Sequence, residues 1–242
     1  SKRFVAIAGN IGVGKSTLTR LLSERLGWQP FYEAVSDNPY LADFYRDMTG
    51  FAFHSQIFFL SRRLRHHRRL LDFPGSVVQD RSVYEDAEIF ARNLFNQGHI
   101  DPRDYQTYRE LYEVLVLFLP PPDLVVYLQA PTEVLLRRVR QRGRAEEQSF
   151  SEEYMAEVNR AYNHYFFHYS ATPLLVVNTA DVDFVRNPED TDDLLKQIRG
   201  MGYEGGLTIL KDYVRQYRPG KQLPAVEDMK QHLGIRHNWI GG

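Results

Sequence analysis

Residues 4–22 read FVAIAGNIGVGKSTLTRLL, in which an apolar run, a glycine-rich loop and a helical run follow one another directly. The loop fits the pattern G-x-x-x-x-G-K-[ST], and its two flanks are those that a phosphate-binding loop requires. Its glycines allow backbone N–H groups to turn toward a phosphate, and the helix N-terminus adds partial positive charge. Lys15 can reach the terminal phosphates and the Ser16 hydroxyl can ligate Mg²⁺. The stretch therefore predicts a nucleoside triphosphate site, because a glycine-rich turn without a ligand seldom combines all these features. The residues predicted to form it are Gly9, Asn10, Ile11, Gly12, Val13, Gly14, Lys15, Ser16 and Thr17.

The rest of the chain alternates short apolar runs with longer helical stretches, the pattern of a β-α-β fold. Most of the apolar runs lack polar alternation, as strands covered by helices on both faces do. We therefore predict an α/β fold with a parallel sheet flanked by helices. The predicted strands are Phe4–Ala8, Pro30–Tyr32, Ser76–Gln79, Leu124–Gln129 and Leu174–Asn178. The predicted helices are Lys15–Leu26, Gly50–Leu71, Val83–Gln97, Asp101–Phe118, Pro131–Arg142, Ser151–Tyr169 and Asp190–Arg199.

Composition narrows the class of protein. The 242 residues carry 30 Lys and Arg against 31 Asp and Glu, a formal net charge of −1. That balance disfavours a protein that coats nucleic acid or an anionic membrane. Hydrophobic residues make up 43% of the chain, enough for a large core, yet no run approaches the roughly 20 apolar residues of a membrane span. The absence of cysteine excludes thiolate sites and suits a reducing compartment, so we predict a cytoplasmic protein. We also expect no signal peptide, because the chain enters a strand-like apolar run within three residues.

Glycine and proline interrupt the alternation after Gly200, at positions such as Gly205, Gly206 and Pro219. We predict a P-loop domain over residues 1–200 and a C-terminal extension of open role over residues 201–242. Within the extension, the sequence predicts one or two short helices, near Tyr213 and Met229.

The group that accepts the phosphate must be found outside the P-loop, since GTPases, motor ATPases and small-molecule kinases all have one. Glu33 follows the second apolar run and Asp80-Arg81 ends the third, where strands of an open α/β sheet face the ligand crevice. Glu33 is a candidate general base, or else an ordinary loop carboxylate. Asp80 can hold Mg²⁺ or its water and Arg81 can position an anion or a hydroxyl. The alternative for Asp80 is a cap on the next helix.

Residues 137–147, RRVRQRGRAEE, combine a basic helix with a glycine and two acidic residues. Helical spacing puts Arg138 and Arg142 on one face and Arg140 on another. The glycine at 143 indicates a hinged lid that brings arginines to a transferring phosphoryl group. A solvated cationic helix remains the alternative.

A second basic run, residues 62–69, lies in a helical context with aromatic residues before it. This context predicts a mostly solvated face and no nucleic-acid site, with Arg63 on the same side as Gln56. The preceding aromatic residues are expected to pack in the core, and one ring can stack on a base.

Together these motifs resemble the deoxynucleoside kinase family over roughly residues 4–200, and most closely its bacterial deoxyadenosine/deoxyguanosine kinases. The resemblance implies a P-loop kinase fold with a five-stranded parallel sheet, an arginine-rich lid and a homodimer formed through a helical face. It also implies ATP- and Mg²⁺-dependent phosphorylation of the 5′-hydroxyl of a deoxynucleoside. The features that carry it are the Gly9–Ser16 loop, Glu33, the NPYL segment at 38–41, Gln56, Asp80-Arg81-Ser82 and the stretch from Arg138 to Glu147.

The resemblance implies catalytic roles for the polar strand-end residues. Glu33 matches the general base and Arg81 the arginine beside the reacting hydroxyl, while Asp80 stands where many members have Glu. Lys15 then neutralises the phosphates, and Ser16 and Asp80 hold the metal. The lid arginines implied by the match are Arg138, Arg142 and Arg144.

The substrate roles follow from the same resemblance. Tyr45 and Glu147 match the residues that hold the sugar 3′-hydroxyl, Gln56 the one that binds the base edge, and Arg63 and Asp86 those that read the base. A carboxylate accepts from an exocyclic amine, whereas thymine presents a carbonyl at that position. We therefore expect deoxyadenosine to be preferred, followed by deoxyguanosine or deoxycytidine, with thymidine last.

Two other functions are compatible with a P-loop. A thymidylate-type kinase shares the loop and an Asp-Arg pair, but its acceptor is a phosphate and calls for extra cations where Glu33 stands. A non-catalytic nucleotide-binding subunit of a larger complex would not need Lys15, Ser16, Glu33 and Arg81 together. Both alternatives predict no ATP consumption with a nucleoside as acceptor.

Overall fold

The computed structural model describes residues 2–33, 35–147, 151–180, 182, 184, 186–200 and 207–210. Its centre is a parallel sheet of six strands in the order β2-β3-β1-β4-β5-β6. Every strand pairing is parallel, as the continuous apolar runs predicted. The strands are β1 Phe4–Gly9, β2 Gln29–Phe31, β3 Val77–Asp80, β4 Leu124–Gln129, β5 Leu174–Asn178 and β6 Leu207–Leu210.

Helices cover both faces of the sheet, and a π-helical segment, Asp86–Ala91, links α4 to α5. Short 3₁₀ turns occupy Val35–Asp37 and Ala145–Glu147. Among the described residues, no helix combines the length and apolarity needed to cross a membrane. The α-helices are α1 Lys15–Leu26, α2 Leu41–Arg46, α3 Met48–Asp72, α4 Val83–Glu85, α5 Arg92–Asn96, α6 Pro102–Val116, α7 Thr132–Arg142, α8 Glu152–Phe167 and α9 Pro188–Gly200.

The α/β fold with five parallel strands is confirmed, and β6 extends the sheet by pairing with β5. Strand β6 was not predicted, because its four residues follow directly on the glycines at 202, 205 and 206. The expected helices near Tyr213 and Met229 lie outside the described residues, and the boundary at residue 200 stays a prediction.

The helices between residues 41 and 97 differ from the prediction. The predicted helix Val83–Gln97 is interrupted by the π-helical segment, and α2 was not predicted at all. Helix α2 has only six residues, too few for a periodic apolar pattern to be recognised. Helix α3 begins two residues before the predicted Gly50, because the Asp47 side chain caps it by accepting from the Gly50 N–H.

The core lies on both sides of the sheet, which explains the lack of polar alternation in its strands. Phe4, Ala6 and Ala8 of β1 pack into one apolar cluster, whereas Val5 and Ile7 pack into another on the opposite face. Burial of both faces is what a parallel sheet between helical layers requires.

The order of the strands determines where a ligand can bind. Strand β1 lies between β3 and β4, so the chain leaves β1 toward one side of the sheet and later returns to the other. In an open α/β sheet, such a reversal creates a crevice at the carboxyl ends of the strands. The P-loop after β1 and Asp80-Arg81 at the end of β3 both lie at this crevice, since Ile7 is in register with Asp80.

Candidate active site

A cavity of about 900 Å³ opens at this edge of the sheet. Among the predicted site residues, it is lined by Ile11, Gly12, Val13, Gly14, Lys15, Ser16, Thr17, Glu33, Tyr45, Gln56, Arg81, Asp86, Arg138, Arg142, Arg144 and Glu147. The predicted residues outside its lining are Gly9, Asn10, Arg63 and Asp80. One cavity thus brings together the P-loop, the strand-end residues and the predicted lid.

The P-loop glycines are required by packing as well as by conformation. A Cβ atom at Gly9 would lie 2.6 Å from Val13 Cγ1 and 2.8 Å from the Leu128 carbonyl oxygen. At Gly12, which has a φ of +82°, a Cβ atom would lie 2.8 Å from Val139 Cγ2. Side chains at either position would push the loop away from β4 and α7.

Lys15 is buried, and its Nζ donates to the Asn10 carbonyl oxygen of the same P-loop at 3.3 Å. Burial lowers the pKa of Lys15 to about 8, and the charge of Arg81 acts in the same direction. Negative charge at Nζ would favour the protonated amine. Lys15 is therefore placed to respond to an arriving phosphate.

Ser16 and Asp80 are adjacent, with the Ser16 hydroxyl donating to Asp80 Oδ2 at 2.5 Å. Within the described residues, Asp80 Oδ1 is buried and has no hydrogen-bond partner. An orphaned carboxylate oxygen beside a hydroxyl suits Mg²⁺, which prefers oxygen ligands and completes its shell with phosphate and water. No cluster of three acidic or histidine side chains provides another metal site in the described part of the chain.

Glu33 is a buried carboxylate that lines the same cavity as the P-loop. Its Oε1 lies 3.0 Å from Arg81 NH1 and 3.2 Å from Arg63 NH2. Burial acts to raise the pKa of Glu33, but the charges of Arg81, Arg63 and Lys15 hold it below its ordinary value. Glu33 is thus ionised and available to accept a proton.

Arg81 adopts a left-handed backbone conformation, with a φ of +65°. Its guanidinium group lies 4.3 Å from the centroid of the Phe90 ring, and its backbone N–H donates to the Ile7 carbonyl oxygen. This turn at the end of β3 directs the Arg81 side chain toward Glu33, with which it forms an ion pair. A non-glycine residue in this region is uncommon and is found at functional sites.

Arg63 is fully occupied by groups of the protein. Its Nε and NH2 donate to the two oxygens of Asp86 at 2.8 and 3.3 Å, and NH2 also donates to Glu33. Its NH1 donates to the carbonyl oxygens of Asp80 and Arg81. Arg63 therefore lies behind the cavity, whereas its partner Asp86 lines it.

Gln56 and Asp86 lie on neighbouring elements, Gln56 on α3 and Asp86 at the start of the π-helical segment. Both are buried and both reach the cavity. Burial raises the pKa of Asp86, although the adjacent Arg63 acts against that shift. The π-helical segment also carries Phe90, and Phe59 of the aromatic run lines the same cavity.

The predicted lid also lines this cavity, through Arg138, Arg142, Arg144 and Glu147. Arg142 NH2 donates to both oxygens of Glu147 at 2.6 and 2.7 Å, and Arg144 NH1 lies 3.8 Å from the same carboxylate. Tyr45 is buried, and its pKa is raised by burial, with Tyr154 and Glu147 adding to the shift. Arg140 of the same helix pairs instead with Glu152 at the surface.

The loop after β5 also lines the cavity, although the sequence did not predict a role for it. Arg138 NH2 donates to the Thr179 carbonyl oxygen at 2.6 Å, and its NH1 donates to Val13 O in the P-loop at 3.3 Å. The position of this loop at the carboxyl end of a parallel strand was the available signal. Its cavity-lining residues are Thr179, Ala180, Val182, Phe184, Arg186 and Asn187.

A P-loop at a strand reversal, with a buried carboxylate and several arginines in the same cavity, is typical of a P-loop kinase. The sequence model of the deoxynucleoside kinase family matches residues 5–201. The chain is 38% identical over 196 residues to the deoxyadenosine/deoxycytidine kinase of Bacillus subtilis, covering 80% of this chain and 90% of that protein. It is 34% identical over 203 residues to the deoxyadenosine kinase of Lactobacillus acidophilus, covering 80% of this chain and 94% of that protein.

The solved structures agree with the sequence matches. The structure of deoxyadenosine kinase from M. mycoides with bound dATP superposes with a TM-score of 0.70 and 28% identity, covering 82% of this chain and 100% of that chain. The chain belongs to the deoxynucleoside kinase family, which confirms the resemblance. It is accordingly a kinase that phosphorylates deoxynucleosides.

Proposed function

We propose that this chain transfers the γ-phosphoryl group of ATP to the 5′-hydroxyl of a deoxynucleoside, with deoxyadenosine preferred. The observation that carries the proposal is the Glu33 carboxylate, held by Arg81 in the same cavity as Lys15. The Glu33 carboxylate would repel an acceptor that is already a phosphate. It can instead act as a base toward an acceptor that is a hydroxyl. The names of the relatives, deoxyadenosine/deoxycytidine kinase and deoxyadenosine kinase, support the choice of substrate.

In the proposed mechanism, Glu33 accepts the proton of the 5′-hydroxyl as that oxygen attacks phosphorus. Arg81 holds the Glu33 carboxylate and faces the reacting oxygen. The P-loop N–H groups, Lys15 and the lid arginines spread the charge that develops on the phosphoryl oxygens. Ser16 and Asp80 would hold Mg²⁺, which neutralises charge on the phosphates when bound. Closure of the lid would exclude water, whose attack on ATP competes with transfer.

An acceptor screen tests the proposal. ADP formation is measured with ATP and Mg²⁺ in the presence of each deoxynucleoside, each deoxynucleoside monophosphate or no acceptor. We expect ADP only with deoxynucleosides, deoxyadenosine being fastest. ADP formation with monophosphates would establish the thymidylate-type alternative, and no ADP above background would establish a non-catalytic nucleotide-binding subunit.

Tyr45 and Glu147 are proposed to select the sugar by binding its 3′-hydroxyl. Both are buried, so a substrate without that hydroxyl leaves buried polar groups unpaired. Such a loss costs about 1–3 kcal/mol, or about 5- to 150-fold in kcat/KM. We therefore expect 2′,3′-dideoxyadenosine to be a poor substrate compared with deoxyadenosine, and Tyr45→Phe to narrow the ratio. Equal kcat/KM values for the two nucleosides in the wild type would remove both residues from the site.

Gln56 and Asp86 are proposed to read the base, with Arg63 fixing the Asp86 carboxylate from behind. Thymine would direct its carbonyl at this carboxylate without a donor between them. Two facing acceptors cost about 1–3 kcal/mol, so thymidine should be about 5- to 150-fold poorer than deoxyadenosine in kcat/KM.

The double variant Asp86→Ala, Arg63→Met removes this repulsion together with the charge that balances it. We expect the ratio between deoxyadenosine and thymidine to shrink, measured as kcat/KM for both nucleosides. A wild type that prefers thymidine, or a double variant with unchanged ratios, would contradict this assignment.

The chain is further proposed to act as a cytoplasmic homodimer joined through the end of α6. Leu117 and Phe118 are 82% and 76% exposed there, and Leu111 and Val114 of α6 extend the same apolar surface. Large apolar side chains exposed side by side are typical of a protein interface. We expect light scattering to give a dimer mass for the wild type and a monomer mass for the variant Leu117→Glu, Phe118→Glu. The control Lys196→Glu, on α9 in the opposite layer, should remain dimeric, and a monomeric wild type would refute the proposal.

A further inference from the structure

Glu85 is a buried carboxylate, 1% exposed, that the proposed mechanism does not use. Its Oε1 accepts from the backbone N–H of Gly9 at 3.2 Å and from the Tyr162 hydroxyl at 2.8 Å. Its Oε2 accepts from the backbone N–H and the hydroxyl of Ser82 at 2.8 and 3.1 Å. One side chain therefore joins the first residue of the P-loop, the residue after Arg81 and helix α8.

The bonds to Ser82 act on the backbone of Arg81. Arg81 has a φ of +65°, a conformation that is costly for a side chain with a Cβ atom. The Ser82 hydroxyl also accepts from the Glu85 N–H, so the two residues form a reciprocal cap directly after the left-handed residue. Glu85 thus stabilises the turn that directs Arg81 toward Glu33.

The hydrogen bond between Glu85 and Tyr162 links Glu85 to helix α8, which follows the lid in the chain. Helix α8 begins at Glu152, five residues beyond Glu147, and its N-terminal half also contacts the P-loop, because Asn10 Nδ2 donates to the Met155 carbonyl oxygen at 3.4 Å. The P-loop is therefore attached to α8 at two places, by Asn10 and by Glu85. A change at Glu85 would therefore alter the position of the P-loop relative to helix α8 and the lid.

We infer that Glu85 is a positioning residue that fixes the P-loop, Arg81 and helix α8 relative to one another for phosphoryl transfer. The inference rests on the proposed function, since it assigns Glu85 an effect on the transfer step. In-line transfer requires the triphosphate and the 5′-hydroxyl to be aligned, and small misplacements of either cost rate more than binding. Loss of the Glu85 contacts should accordingly lower kcat more than it raises either KM.

Because Glu85 is titratable, the pH dependence of kcat tests its role. A residue with a purely structural role would not change that dependence. Four hydrogen bonds to its oxygens favour the carboxylate, while burial raises its pKa above the ordinary value. Protonation of Glu85 would leave its carboxyl unable to accept all the hydrogen bonds that Gly9, Ser82 and Tyr162 donate to it, so kcat should fall at low pH. The charged or titratable side chains that interact with Glu85 are Lys15, Arg81, Tyr127, Tyr162, Tyr165 and Tyr169, none of which titrates in acid. The carboxyls of Glu33 and Asp86 in the same site do titrate in acid, and the pKa of Glu33 is held below its ordinary value. The acid limb assigned to Glu85 is therefore the one that Glu85→Gln removes while Glu33 and Asp86 are unchanged.

The experiment compares Glu85→Gln with Tyr162→Phe, and with Tyr108→Phe as the matched control. Tyr108 is buried, and its hydroxyl has no hydrogen-bond partner among the described residues, so the control makes the same chemical change without touching Glu85. We expect Glu85→Gln to lower kcat by about 10- to 100-fold with both KM values within about threefold, and to lose the acid limb assigned to Glu85. Tyr162→Phe should lower kcat by about 3- to 10-fold and move the acid limb to higher pH, because it removes a bond to the carboxylate. Tyr108→Phe should leave kcat and the acid limb of the pH profile unchanged.

A kcat of Glu85→Gln within twofold of wild type would overturn the inference, as would a loss of activity with an unchanged acid limb. Should Glu85→Gln fail to fold, Tyr162→Phe decides in the same way: an unmoved acid limb refutes the inference. All comparisons are made with deoxyadenosine as acceptor. A wild type that forms no nucleotide product would refute the proposed function instead, so the two failures are distinguishable.

Discussion

The variant Glu33→Gln is expected to bind deoxyadenosine with nearly unchanged affinity and to turn over about 10²- to 10⁴-fold more slowly than the wild type. The amide oxygen can still accept from Arg81 and Arg63, which hold the Glu33 carboxylate at 3.0 and 3.2 Å. An amide cannot take the proton of the 5′-hydroxyl, so the chemical step loses its base. Nucleoside affinity is measured by calorimetry and kcat by ADP release.

Lys15→Ala is the contrasting variant. It removes the ammonium group from the phosphate site but leaves Glu33 in place, so the KM for ATP should rise while kcat falls. The affinity for deoxyadenosine should be retained in both variants. A Glu33→Gln enzyme with near-normal turnover would exclude Glu33 as the base.

Arg142→Ala is expected to lower kcat by about 10²- to 10³-fold while raising the KM for ATP only slightly. Arg142 donates to both oxygens of Glu147 and lines the cavity. A cation that reaches the phosphoryl group as charge develops contributes to the transition state more than to binding. Arg144→Ala should behave in the same direction.

Arg140→Ala provides the matched control for the lid arginines. Arg140 lies on the same helix but on its outer face, where it pairs with Glu152. Exposed ion pairs contribute little, so the control should keep both kinetic constants. A change confined to the KM for ATP in Arg142→Ala would mean that the arginine binds ATP without acting in the transfer step.

The fold was predictable wherever a strand is buried on both faces. Residues such as Val5 and Ile7, or Leu124 to Leu128, carry an apolar run that only a central parallel strand explains. The short elements were not predictable. Helix α2 offers fewer than two turns of periodicity, and β6 depends on pairing with β5 that the local sequence does not reveal.

The residues that line the cavity were more predictable than the contacts between them. Strand-end position pointed to Glu33 and Arg81, and the glycine pattern pointed to the P-loop. The sequence could not reveal that Arg63 donates to four groups of the protein, because these contacts join α3, β3 and the π-helical segment. Glu85 escaped notice for the same reason, since its partners Gly9 and Tyr162 are 76 and 77 positions away.

The central claim is that the 5′-hydroxyl beside Glu33 is the acceptor, and 2′,5′-dideoxyadenosine tests it most directly. This nucleoside keeps the base and the 3′-hydroxyl but lacks the reacting group. With ATP and Mg²⁺, we expect it to inhibit phosphorylation of deoxyadenosine competitively while ADP formation stays at the level without acceptor. ADP formation at the rate seen with deoxyadenosine, with or without a phosphorylated nucleoside as product, would contradict the claim.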